Sequence, residues 1–296
     1  LTAKKIVKLH TIDQWMELDK AMRPIILQHI KLKDRLYKFL KEKWAGNKKE
    51  TLHNEDSKWR PCPVCDKRGW IPTEPRLPGI HPSQLPHPCL LKTYNEMTGK
   101  EGQEKIEART MLIFDMGHAI HDMLQSYGRM GAWGPEYHHE VRLSKDLQEL
   151  SETLMIEGHA DAENILVIDD IPDSPYIYEV GLVHEYKSIN SNGFEKLTRP
   201  KPEHKVQAMV YAAALNRPIV VYLYFNKNDS NIADFPVAFE PELWTVIEGK
   251  ARLLKSHFES KTPPPASTGF HCNQCPYVYG CEAYAAMTKY STPAKK

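Results

Sequence analysis

Residues 157–190 read EGHADAENILVIDDIPDSPYIYEVGLVHEYKSIN, and the rest of the chain is best understood from them. Two β-like runs, Ile165–Ile168 and Tyr176–Tyr186, flank the acidic, turn-rich connection DDIPDSP, which predicts a hairpin. Residues two apart in a strand point to one face, so Glu185 and Lys187 project together, and Asp161 can meet them from the entry of the neighbouring strand. Two carboxylates and an ammonium on one sheet face suit hydrolysis assisted by a divalent metal. The carboxylates would hold Mg²⁺ or Mn²⁺, and the lysine would orient or help deprotonate a water.

Around this hairpin, Tyr137–Leu143 (YHHEVRL) alternates and predicts a first strand, with Glu140 as an ordinary half-exposed residue or an added metal or DNA contact. Pro218–Phe225 (PIVVYLYF) predicts a buried strand. His204–Leu215 (HKVQAMVYAAAL) predicts an Ala-rich helix on which Gln207 and Tyr211 share a face. Ile106–Tyr127 predicts a long helix carrying His118 and His121; each is a metal-ligand candidate against the commoner reading of a packed polar residue. Leu243–Lys261 predicts a further helix. Lys196, Arg199 and Lys201, in the polar connection Ser188–Pro202, read as phosphate contacts or as solvated charges.

The chain has 296 residues, 41% hydrophobic and 26% charged, the composition of a soluble globular protein. No run approaches a membrane span and the start does not read as a signal peptide, so a reducing, cytoplasmic setting without membrane attachment is expected. Net charge is only +1, but its distribution is uneven. Residues 1–50 hold 13 Lys and Arg against 6 Asp and Glu, whereas residues 136–185 hold 2 against 13. An acidic heart repels phosphate unless a metal bridges the two; basic flanks can hold a nucleic-acid backbone.

Residues 1–79 predict a basic helical N-terminal extension, helical over 11–45 with an interruption near Pro24 and a capping box from Thr11 and Gln14. In it Cys62-Pro-Val-Cys65 forms a CxxC knuckle, and His81 and His87 follow at C-x₂-C-x₁₅-H-x₅-H spacing, a candidate Zn²⁺ set in which His53 is a rival ligand. The alternative is a pair of ordinary thiols in a surface turn. Near the C-terminus, Cys272, Cys275 and Cys281 are spaced C-x₂-C-x₅-C; a tetrahedral set needs a fourth thiolate, for which Cys89 is the natural candidate.

Asp161 followed by Glu185-Tyr186-Lys187 resembles the D…ExK core of the PD-(D/E)XK nucleases, and Gly158–Asp161 resembles the GxxD motif of their RecB-like exonuclease branch. Gly117 to His121 is similar to the family's GxxxH, and Gln207 to Tyr211 to its QxxxY. Ser83-Gln84-Leu85 ahead of Cys89 resembles the segment that opens the nuclease domain of iron–sulfur members, including CRISPR-associated RecB-like exonucleases and the AddB nuclease. The motifs stand in the family's order across roughly residues 80–285; the CPVC knuckle departs from its simplest members.

The resemblance implies an α/β fold, with a restriction-endonuclease-like mixed central sheet flanked by helices. Residues 80–296 would form the nuclease domain, closed by a structural [4Fe–4S] cluster on Cys89, Cys272, Cys275 and Cys281, with zinc in the same thiolates as the alternative. It implies Mg²⁺ or Mn²⁺ held by His121, Asp161, Glu185 and the backbone carbonyl of Tyr186. Lys187 would act on the attacking water, and Gln207 and Tyr211 would place the strand. The implied activity is DNA exonuclease, on single strands or duplexes with ends, in recombination, repair or processing. Recombination or replication proteins would be partners, in a bacterial or phage-infected cytoplasm. The alternatives are a non-catalytic DNA-binding adaptor on the same fold and a structure-specific endonuclease. No GxxxxGK[ST] nucleotide loop occurs.

Overall fold

Strand β4 (Tyr176–Ile189) is the axis of a computed structural model that describes residues 4–45, 79–102, 108–134, 136–143 and 153–291. Its 14 residues are long enough to pair with two strands end to end along one edge. Strand β1 (Lys5–Leu9) runs parallel to Tyr176–Val180, and β5 (Ile219–Asn226) runs parallel to Leu182–Ile189. Along the other edge β4 pairs antiparallel with β3 (His159–Ile168), completing the hairpin expected from the sequence. Outside β3 lies β2 (His138–Arg142), and outside β5 lies β6 (Ile232–Ala238), both antiparallel. Among the described residues these six strands form one mixed sheet.

Helices cover both faces, giving three layers. On one face Tyr178, Val180, Leu182 and Tyr186 pack with Trp15, Ile26, Leu32 and Leu36 of α1 (Ile12–Glu17), α2 (Met22–His29) and α3 (Leu32–Ala45), and with Ile120 and Leu124 of α5 (Ala108–Arg129). On the other face Val183, Val220 and Tyr222 meet Tyr94 and Met97 of α4 (Leu90–Met97). The short α6 (Ser191–Phe194) follows β4 and leads to α7 (Pro202–Ala214), whose Ala208–Ala212 run packs in the same layer as Ile247, Ala251 and Leu254 of α8 (Pro241–Glu259). Helices α7 and α8 each carry proline in the first turn, where a backbone N–H has no intrahelical partner to lose.

Three features differ from the sequence expectation. Residues 4–45 are built into the main fold: β1 joins the sheet, and Trp15, Ile26, Leu32 and Leu36, at 0–1% exposure, belong to its core. The Thr11–Gln14 capping box forms, but Pro24 does not interrupt a helix; it lies in the first turn of α2, and the breaks fall on either side. Strand β6, which contains Pro236, was not anticipated, and its place at the sheet edge is where a residue without an N–H is tolerated.

Two glycines permit close approaches. A Cβ on Gly128 of α5 would lie 2.2 Å from Cζ of Tyr137, so the helix touches that ring only because residue 128 has no side chain. A Cβ on Gly181 of β4 would lie 2.6 Å from the carbonyl oxygen of His10, where the chain leaving β1 crosses the sheet. No described helix is long and apolar enough to cross a membrane.

Candidate active site

The β3–β4 ladder stops at the rung Ala162–His184. The next rung would place Asp161 opposite Glu185. Instead the strands part, and the Tyr186 N–H is taken by the Asp161 side chain, Oδ2 accepting at 2.6 Å. This opening lets groups from both sheet faces meet. From one face comes His121 of α5, its Nδ1 3.2 Å from Oδ1 of Asp161. From the other come Glu185 and Lys187, which form an ion pair. Their shared face is the one the strand period predicts.

Glu185 is fully buried, with the Lys187 ammonium against its carboxylate. That ion pair compensates the buried carboxylate. Burial pushes the Glu185 carboxyl up, Lys187 opposes it and Asp161 adds to it, leaving it at about 7. Burial also pushes the Lys187 ammonium down, but the neighbouring Glu185 and Asp161 outweigh this and its pKa stays above the ordinary value. Asp161 is raised by burial but more than balanced by His121, Lys187 and the Tyr186 N–H, and it remains a carboxylate. Asp161 raises the His121 pKa above its ordinary value against the effect of its own burial.

Helix α7 brings Gln207 and Tyr211 to the Glu185 side, with Gln207 Nε2 donating to the Tyr211 hydroxyl at 3.2 Å. Burial first, then the Glu185 charge, keeps the Tyr211 phenol far above its usual pKa. Lys196 and Arg199 are exposed on the connection after β4, whereas Lys201 is half-buried, its N–H donating to the Tyr224 hydroxyl at 3.0 Å.

Behind the site, on the opposite face of β4, lies a buried polar chain that the sequence did not announce. The Tyr137 and Tyr186 hydroxyls are 2.9 Å apart, and the Tyr186 hydroxyl lies 3.2 Å from His184 Nδ1. His184 Nε2 lies 2.8 Å from Asn164 Oδ1, and Asn164 Nδ2 donates to the Trp133 carbonyl at 2.9 Å. Every member is satisfied, so the chain fixes β4 where Tyr186 turns toward Asp161. Gln125 is the other unanticipated residue: one helical turn beyond His121, it donates to Glu140 Oε1 at 2.8 Å and to the Asp161 carbonyl at 3.2 Å. Its i,i+4 spacing from His121 was the signal available.

The donor set suits a hard divalent cation: the Asp161 and Glu185 carboxylates with the His121 imidazole, Glu185 being fully buried. Among the described residues, no three His, Cys, Asp or Glu side chains are drawn into metal-holding geometry; here the Lys187 ammonium compensates Glu185 and His121 lies against Asp161.

The cysteine segments also converge. Cys89 precedes α4, Cys272 lies in the turn Phe270–Gln274, and Cys281 precedes α9 (Glu282–Ser291). Cys89, Cys272, Cys275 and Cys281 are free thiols. The Cys275 thiol is pushed up by burial and further by the nearby Cys89 and Cys272. Lys250 of α8 holds the loop before Cys89 by donating to the Leu85 carbonyl at 2.6 Å and to that of His87, and the His87 and His271 rings meet edge to face at 5.2 Å. The thiols are the right donors for a cluster, but they are not drawn together into a closed ligand set.

Of the candidate zinc set, Cys62 and Cys65 lie outside the described residues, as does His53. His81 and His87 are engaged in local turns: His81 Nδ1 is 2.7 Å from Ser83 Oγ, and His87 Nδ1 accepts from the Cys89 N–H at 3.2 Å. Burial, with Lys92 next in effect, brings the His87 pKa down to about 4.

No protein-family model and no curated protein matches the chain. Among solved structures it is similar to that of SSO0001, at 14% identity and a TM-score of 0.41, over 88% of this chain and 97% of that one. It is also similar to LHK-Exo in complex with dAMP, at 15% identity and a TM-score of 0.36, over 62% of this chain and 90% of that one. A second structure, of the alkaline exonuclease LHK-Exo from Laribacter hongkongensis, aligns at 15% identity and a TM-score of 0.35, over 63% and 90%.

Proposed function

We propose that this chain is a divalent-metal-dependent deoxyribonuclease that hydrolyses phosphodiester bonds at the opening between β3 and β4, acting from DNA ends. The observation that carries the reading is the fully buried Glu185 carboxylate, set beside Asp161, Lys187 and His121. A carboxylate buried this way is costly unless a cation compensates it, and such costs are concentrated at functional sites.

In this reading His121, Asp161, Glu185 and the Tyr186 carbonyl hold Mg²⁺ or Mn²⁺. When bound, the metal supplies Lewis acidity at the scissile phosphate and a water of lowered pKa. The chain's own residues do the rest. Glu185 keeps the Lys187 ammonium at the opening, where its N–H groups donate to the attacking water and to the charge that builds on phosphate. Gln207 and Tyr211 form a donor-bearing wall that orients the strand. Lys196 and Arg199 contact backbone phosphates on approach. Cys89, Cys272, Cys275 and Cys281 hold a structural [4Fe–4S] cluster that ties the start of the domain to its end. The tests are degradation of labelled DNA by the purified chain with Mg²⁺ or Mn²⁺, its arrest by a chelator, and a 5′-phosphate on the product. DNA left intact under every metal condition contradicts the proposal.

A further inference from the structure

Helix α5 reaches the site with two polar side chains on one face, His121 and Gln125, a turn apart. The Gln125 side chain is buried at 3% exposure, and its amide nitrogen has two N–H donors. One goes to Glu140 Oε1 at 2.8 Å and the other to the Asp161 carbonyl at 3.2 Å. Glu140 lies between the rungs His139–Ala162 and Val141–Ala160, at the level of Asp161 on the adjacent strand. Its backbone has φ 50°, the left-handed region that residues with side chains seldom occupy. Thus one amide joins α5 to both β2 and β3 at the point where the catalytic carboxylate leaves the chain.

We infer that Gln125 is a positioning residue: its amide, clamped between Glu140 and the Asp161 carbonyl, sets the separation of His121 from the Asp161 carboxylate. The geometry is direct. The Asp161 backbone carries the carboxylate, and Gln125 fixes the distance of α5 from that backbone one turn beyond His121. Four residues is too short a helical span to take up slack, so the His121 ring moves with the Gln125 anchor. A metal ligand held by a supporting hydrogen bond binds in the geometry that bond allows. The inference rests on the metal-dependent reading above and adds the residue that assembles the ligand pair.

Three variants of the full chain test it: Gln125→Met, Glu140→Ala and Glu140→Gln, each compared by Mn²⁺ titration, steady-state DNA cleavage and crystal structure. Gln125→Met, close in volume but without donors, is expected to bind Mn²⁺ about 10- to 100-fold more weakly, with the loss in kcat rather than in KM for DNA. Glu140→Gln keeps an amide oxygen to accept from Gln125 and is expected to stay near the parent; Glu140→Ala is expected to lose affinity. Parental Mn²⁺ affinity and kcat in Gln125→Met overturn the inference. So does equal damage from Glu140→Gln and Glu140→Ala, which would make the carboxylate itself a ligand. If Gln125→Met does not fold, the Glu140 pair decides. If the parent neither binds Mn²⁺ nor cuts DNA, the nuclease reading fails separately. The structure of Glu140→Ala then judges the clamp: His121 and Asp161 out of hydrogen-bond reach supports it, and an unchanged 3.2 Å separation overturns it.

Discussion

The Tyr186 backbone N–H donates to Asp161 Oδ2 at 2.6 Å, one residue past the last rung between β3 and β4. One carboxylate therefore does two things. It closes the open end of a ladder that would otherwise leave a buried N–H unpaired, and it stands beside His121 and the Glu185–Lys187 pair. The parting of the strands is what brings α5 on one face and α7 on the other to a common point.

Substitutions at Asp161 separate these two roles. Asp161→Asn retains an oxygen that can accept from Tyr186, and it should keep its thermal midpoint while losing cleavage. Asp161→Ala should lose both, the stability cost being about 1–3 kcal/mol for an unpaired buried donor. Lys187→Ala should reduce kcat by roughly 10²- to 10³-fold, the scale for removing a donor to transition-state charge. Denaturant melts beside single-turnover rates check all three; an active Asp161→Asn contradicts the role given to the carboxylate.

His184 should make the protein acid-sensitive. Burial brings its pKa down to about 3 against the pull of Asp161, whereas the unfolded chain takes up a proton near the ordinary 6.5. Between these values the unfolded state binds the extra proton, so the stability contributed by neutral His184 is complete above 6.5 and is lost as pH falls toward about 3. His184→Gln should be less stable at neutral pH but flatter across that window. Urea midpoints that fall in parallel for parent and variant would show that His184 is not the sensor.

Gly128→Ala should loosen α5 from the sheet. The added Cβ would fall 2.2 Å from the Tyr137 ring, which cannot swing away without breaking its hydroxyl contact with Tyr186. Overpacking of this kind costs typically about 1–3 kcal/mol. Hydrogen exchange should show faster opening of residues 120–129 and of β2, and unchanged protection there refutes the packing argument.

Much of this site is legible in the sequence. The alternation of Tyr176–Tyr186 placed Glu185 and Lys187 on one face, the acidic turn specified the hairpin, and the Gln207–Tyr211 spacing put both on the buried side of α7. What escaped notice depended on partners distant in sequence. Strand β1 is five residues, two of them lysine, and pairs with a strand about 170 positions later; nothing local distinguishes it from the start of a basic helix. Gln125 is one helical glutamine among others in the sequence, and its role depends on the Asp161 carbonyl, a backbone atom that no side-chain pattern records. Glu140 is the half-exposed residue of β2 that the alternation predicts; only its bond to Gln125 depends on the tertiary fold. His184, Tyr186 and Asn164 form a buried chain only because β3 and β4 pair in this register.

The cysteine assignment predicts a brown protein after anaerobic purification, with iron and sulfide close to the stoichiometry of a [4Fe–4S] cluster. Cys89→Ala and Cys281→Ala should each lose the iron and lower the thermal midpoint, because the cluster would link α4 to the C-terminal segment. Stoichiometric zinc without iron in the parent would replace the cluster by a metal knot.

The most direct measurement is cleavage of end-labelled linear DNA and closed circular DNA in Mg²⁺ or Mn²⁺, with Glu185→Ala alongside. Metal-dependent degradation of the linear DNA alone, absent in the variant, is the predicted result. Cutting of circles would make the activity endonucleolytic. Intact DNA of both forms with folded parent protein, or equal cleavage by Glu185→Ala, would contradict a metal-dependent nuclease at this site.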